Sequence, residues 1–162
     1  MPMYTCRPAQ SEDYQTICTF VETEDELYFM FPSGKFPLQA GQLEQNAKNR
    51  WCPTIVEDES GIAGYANFYG YEEGKQCHLG NVIVAPAHRG QGAAAFLIRT
   101  MITKASAELN VPRLLLVCHS TNPRALLFYD KLGFKPFALS KKLNFRGEAI
   151  VGISMEKLLE QP

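Results

Sequence analysis

A chain of 162 residues fits one compact domain and leaves no room for a second. With 46% hydrophobic and 20% charged residues it can bury a sizeable core, which excludes intrinsic disorder. Basic residues number 16 and acidic residues 17, so the net charge of −1 excludes a general attraction to nucleic acid or to an anionic membrane.

Residues 4–7 read as a short opening strand, and Ser11 as the N-cap of a helix to about Phe20. Thr23-Glu24-Asp25-Glu26 has the form of a capping box, the threonine oxygen taking the Glu26 amide while the glutamate reaches back. That second helix runs to about Phe31 and stops before Pro32; 33–37 is a loop and 38–49 a third helix. From Trp51 the pattern turns to strands: 54–57, a turn at 58–61, a hairpin partner at 62–71, and a longer strand, Gln76–Val84. Residues 93–109 make the strongest helix. There Leu97, Met101, Ala105 and Leu109 recur every four residues, and Ala94, Ile98 and Ile102 widen the stripe. Beyond Pro112, residues 114–118 are wholly apolar, as expected of a buried strand parallel to the one before the helical crossover. Asn122-Pro123 opens a helix with a cap and a proline at N1, and Leu132-Gly133 closes it with a left-handed glycine. Residues 134–143 and 149–155 form a last hairpin. The expected class is α/β, one mixed sheet with flanking helices, in a single domain over residues 1–162.

No apolar stretch reaches the roughly 18 residues that span a bilayer, and Met1 to Gln10 lacks a basic then apolar leader. Cys6, Cys18, Cys52, Cys77 and Cys118 are odd in number, scattered, and without Cys-x-x-Cys pairing. They read as reduced structural thiols, with no metal site, and the expected location is cytoplasmic.

The chemistry concentrates in two segments. In Val82 to Ala94 a strand enters a turn with Gly90 and Gly92 and opens directly into the long helix. Glycine lets a ligand come close to the backbone, and the unpaired amides of a first helical turn suit a pyrophosphate. The same glycines would also serve a tight turn by geometry alone. In the second segment, Asn122 and Tyr129 are seven residues apart and return to nearly the same helix face, with the small Ala125 close to it. Each of these residues alone is explained by a cap or by core packing.

Together the segments resemble the GNAT acetyltransferase family. Its R/Q-x-x-G-x-G/A signature appears as Arg89, Gly92 and Ala94, with Pro86 ahead of it; its N-x-x-A-x-x-[FL]-Y-x-x-x-G-F signature appears as Asn122, Ala125, Phe128, Tyr129, Gly133 and Phe134. The match is firm from about Gln76 to Lys135, and the flanks agree in element order only. The resemblance implies a GNAT acyl-CoA N-acyltransferase fold with a splayed parallel strand pair, and acetyl-CoA as co-substrate. Val82, Ile83 and Val84 would pair with the pantetheine arm. The amides of Gly90, Gln91, Gly92, Ala93, Ala94 and Ala95, beside Arg89, would hold the pyrophosphate. Asn122 would bond the pantetheine or an ordered water, and Tyr129 would sit by the sulfur and protonate the leaving thiolate. The amine would attack directly, its oxyanion held by the amide of Val84 or Ile83.

The general base is open. Relatives use a glutamate near the start of the fourth strand or in the fifth; here the fifth-strand position is Val117 and the fourth-strand position His78. Strand alternation puts residues 78, 80, 82 and 84 on one face, from which His78 would look toward the site. His119 and a water chain are the alternatives. His88 is expected to face solvent or phosphate. An acyl-enzyme on Cys118 lacks a neighbour to lower its pKa.

Acceptor choice would fall to the segment between the first strand and the first hairpin, with Tyr28, Phe29, Phe31, Phe36 and Trp51, joined by Tyr65 and Tyr69. These suggest a pocket wall for a small primary amine with an apolar body. The acids Glu22, Glu24, Asp25 and Glu26 are explained by the helix dipole or by a cationic acceptor. Protein lysines or N-termini, and a non-catalytic acyl-CoA-binding module, remain alternative readings, and a homodimer stays open.

Overall fold

The computed structural model describes residues 3–160. Seven strands form one sheet: β1 Thr5–Pro8, β2 Trp51–Asp58, β3 Gly61–Glu72, β4 Gln76–Val84, β5 Arg113–His119, β6 Lys135–Leu143 and β7 Ala149–Leu158. Their order is β1-β2-β3-β4-β5-β7-β6, antiparallel throughout except for the parallel pair β4 and β5. The helices are α1 Asp13–Cys18, α2 Glu24–Met30, α3 Ala40–Ala47, α4 Ala93–Ala107 and α5 Pro123–Lys131, with a single 3-10 turn at Pro86–His88. No helix among the described residues is long and apolar enough to cross a membrane.

Two cores lie on opposite faces of the sheet. Neighbours on one strand divide between them, as alternation requires: Ile55 packs with α1, α2 and α3, and Val56 with α4 and α5. Leu97, Ile98, Met101 and Ala105 of α4 are wholly buried. Each of the larger three contributes about 1.5–3 kcal/mol by leaving water.

The cap at Thr23 forms as expected, its hydroxyl accepting from the Glu26 amide at 3.1 Å. The return arm differs by one residue, since the Glu26 carboxylate takes the amide of Glu22 at 3.0 Å. Ser11 is not a cap. Its hydroxyl bonds Glu44 on α3, and the helix starts two residues later at Asp13. The Asp13 carboxylate accepts from the Gln10 amide at 2.7 Å and takes the guanidinium fork of Arg7 at 2.7 and 3.0 Å. The Arg7 fork, first, holds the Asp13 carboxyl below the usual carboxylate range. α1 ends at Cys18 because Thr19 and Phe20 tighten into bonds three residues back.

The feature that shapes the site is a bulge in β4. Between the pairs Tyr65↔Ile83 and Asn67↔Gly80, β4 spends three steps against two on β3. Asn81 absorbs the extra residue at φ +51°, a conformation asparagine tolerates better than most residues. Its side chain is pinned: Oδ1 accepts from Asn46 at 2.7 Å and Asn67 at 2.9 Å, and Nδ2 donates to the Met30 carbonyl at 2.8 Å. The bulge resets the alternation. Cys77 and Leu79 face α4 before it, and Val82 and Val84 face α4 after it. Residues 78, 80, 82 and 84 therefore do not share a face, contrary to the expectation from spacing. Past the pairs Cys77↔Leu114 and His78↔Leu115, β4 and β5 part.

Candidate active site

The gap between β4 and β5 opens into a cavity of about 640 Å³. Its walls are Val82, Ile83 and Val84 on one strand and Leu116, Val117, Cys118 and His119 on the other. One mouth, on the α4 and α5 side, carries Gly90, Gly92, Ala94, Ala95, Asn122, Ala125 and Tyr129; the other carries Phe29, Met30, Pro32, Arg50 and Tyr69. The cavity thus passes through the sheet.

At the first mouth Gly90 and Gly92 have φ of +74° and +86°, and the space where a Cβ would stand is open at both. The conformation requires glycine, and it leaves backbone facing the opening. Gly92 is the left-handed N-cap of α4. The first amide to bond back is that of Phe96, to the Gly92 carbonyl at 3.0 Å, so the amides of Ala93, Ala94 and Ala95 are left for a ligand. Gln91 and Ala93 do not line the cavity with the rest of the turn. Arg89 reaches across the mouth to Glu26 at 2.8 Å.

Strand geometry resolves which backbone groups face the gap. The Ala85 amide is bonded to the Ala63 carbonyl on β3 at 2.7 Å. Alternate residues point their backbone the same way, so Ile83 turns to β3 while Val82 and Val84 turn to the gap.

On α5, Asn122 caps the helix through Oδ1 and the Ala125 amide at 3.4 Å. Tyr129 is 9% exposed, its ring edge-on to Phe134 at 5.6 Å. Burial, and then the nearby Cys118 thiol, raise its pKa well above the ordinary phenol value, so it stays protonated and able to donate. Burial pushes the Cys118 thiol up to about 11, which leaves it a poor nucleophile at neutral pH.

The histidines sort differently from expectation. His88 does not face solvent: it is buried against the first hairpin, near Ser60 at 3.3 Å, Tyr4 at 3.5 Å and Asp58 at 3.6 Å, and it lines the cavity beside Arg89 and Gly90. His78 does not line the cavity. The bulge leaves it stacked on Tyr69 at 4.9 Å, with Nδ1 buried and lacking a well-aligned partner. His119 does line it, stacked on Tyr28 at 4.7 Å. Burial, first, and the Lys142 charge lower its pKa, which favours the neutral base.

Of the aromatic residues expected as a pocket wall, Phe29 and Tyr69 line the cavity and Tyr28 backs His119. Phe31 and Tyr65 are consumed by the core under α1 to α3, and Phe36 and Trp51 stand on the outside. Tyr28 also donates to the Leu143 carbonyl at 3.2 Å, and Arg146 meets Asp25 at 3.2 Å. The end of β6 and the β6–β7 connection are thereby fastened to α2 beside the second mouth.

The Acetyltransferase (GNAT) family model matches residues 12–134. The chain belongs to the GNAT acetyltransferase family. It is accordingly an N-acetyltransferase with acetyl-CoA as co-substrate and an amine as acceptor. Spermidine N-acetyltransferase from Vibrio cholerae, solved with CoA and spermine, is similar at 20% identity and TM-score 0.80, over 96% of this chain and 95% of that one. The ribosomal-protein-S18-alanine N-acetyltransferase from Escherichia coli is similar at 18% identity and TM-score 0.74, over 99% and 96%. No curated protein sequence matches. Among the cavity residues of this acetyltransferase that escaped the sequence reading are Arg50, Asn81 and Lys142. Asn81 alone left a signal, a polar residue inside an apolar strand; the other two are brought in by long-range packing.

Proposed function

We propose that the chain transfers acetyl to the primary amine of a small molecule by direct attack, with both substrates bound at once. The observation that carries this reading is the pair of bridges from α2 to β6 and the β6–β7 connection beside the second mouth. An extended peptide needs an open groove, and here Tyr28 with Leu143 and Arg146 with Asp25 bridge the place where it would run. The acceptors named for the similar structures, spermidine and a ribosomal-protein alanine, are too unlike to decide the matter.

The cofactor enters from the opposite face. Amides from Gly90 through Gln91, Gly92, Ala93 and Ala94 to Ala95 hold the pyrophosphate, with Arg89 beside it. The pantetheine runs along the free backbone of Val82 and Val84, Ile83 packs behind it, and Asn122 bonds the arm. The neutral amine attacks the thioester carbon, and the Val84 amide receives the oxyanion. As the C–N bond forms, His119 takes the amine proton; as the C–S bond breaks, Tyr129 gives its proton to the thiolate and is resupplied from water. His119 replaces His78 in this role because it borders the cavity. Thiol release from acetyl-CoA, measured with panels of small amines and of peptides, tests the reading. Turnover is expected with small amines; preference for peptide lysines or N-termini would overturn it.

A further inference from the structure

Arg50 is a cation without an anion. It follows α3 at the start of β2 and is half-buried. Its guanidinium lies over the Tyr69 ring at 4.5 Å and donates once, from Nη1 to Asn67 Oδ1 at 3.2 Å. Among the described residues no carboxylate pairs with it, and burial lowers its pKa, the opposite of what a salt-bridged arginine experiences. A guanidinium has five donors in a fixed fork, so most of this one's capacity is left for a group in the cavity it lines. The fold makes room for it: a Cβ at Gly80 would collide with Nη1 and with the Tyr69 ring.

The charges around it point the same way. Among the described residues Glu26 is the single acid lining the cavity, and Arg89 already occupies it. Lys142 adds a further cation beside His119, and Arg124 another on α5. Such a pocket repels a polycation. We infer that the acceptor is a small amine that also carries a carboxylate, of the amino-acid kind, whose carboxylate takes the Arg50 fork while its apolar body lies against Phe29 and Tyr69. The inference rests on the small-amine reading and narrows it. Arg50 binds substrate and takes no part in proton transfer.

The test is the set of common amino acids, each against its decarboxylated amine, with thiol release from acetyl-CoA as readout. The carboxylate-bearing member is expected to win by on the order of 10- to 100-fold in kcat/KM, the worth of a charged hydrogen bond. Arg50→Gln should erase that preference, chiefly through KM, and Arg50→Lys should restore part of it. The melting temperature of Arg50→Gln should hold or rise, since the variant removes a half-buried charge that no carboxylate pairs. Equal or better turnover of the decarboxylated amines by the parent protein would overturn the inference and leave the small-amine reading standing. A preference that survives Arg50→Gln in a folded variant would overturn the role of Arg50. If CoA binds and no amine in either set is acetylated, the small-amine reading falls, and this one with it.

Discussion

In the proposed mechanism Tyr129 and His119 divide the two proton transfers, and their environments suit them to it. Tyr129→Phe keeps the ring packing against Phe134 and removes only the donor. We expect kcat to fall by roughly 10²- to 10⁴-fold with CoA affinity retained, as read by steady-state kinetics beside CoA titration. The raised phenol pKa predicts no alkaline loss of the donor in the neutral range. For His119 the folded pKa lies below its free value of 6.5. The neutral base is then present above the depressed pKa, so kcat/KM should climb through an acidic limb that His119→Ala removes and His78→Ala keeps. The same depression links to stability. At both histidines the unfolded chain binds the proton more readily, so stability is complete above 6.5 and is lost as pH falls through the depressed folded values. Thermal melts across that acidic window should flatten in His78→Ala as well as in His119→Ala. Kinetics therefore separates two residues that stability does not.

The bulge at Asn81 decides more of the site than any motif. It turns His78 away, parts β4 from β5, and exposes the backbone of Val82 and Val84 to the gap. Asn81→Leu would strand three hydrogen-bond partners and force a branched side chain into φ +51°. A loss of about 2–4 kcal/mol in urea unfolding is expected, with a weaker thermal shift on adding CoA. At the head of α4, Gly92→Val cannot hold φ +86° and should abolish the CoA thermal shift. These two elements were not equally legible. The α4 turn and α5 were readable because glycine, proline and a cap punctuate them locally. Alternation in Gln76–Val84 reads through the bulge, because the polar Asn81 is the one mark the inserted residue leaves in a nine-residue pattern. Likewise Ser11 and His88 looked plain in sequence. Their partners, Glu44 for the one and Asp58 and Ser60 for the other, come from segments about thirty residues away.

At the scale of the whole molecule, a nearly neutral chain surrounds a cavity whose cations outnumber its acids. The phosphate proposed for one mouth and the carboxylate inferred for the other would both suit that imbalance. Two separate cores flank the sheet, and residues of both line the slot that runs between them. Because the slot pierces the sheet, the proposed mechanism brings the two substrates from opposite sides to meet head-on, each leaving the other's doorway clear. A bisubstrate compound, with the sulfur of CoA joined through an acetyl bridge to the nitrogen of the amine, can therefore thread the sheet with both ends seated. The second end then binds as though already at high local concentration, and affinity should exceed that of CoA by about 10²- to 10⁴-fold in calorimetric titration. Such a molecule would act as a bolt through the plate, and its release would require one end to be drawn back through the full thickness of the sheet.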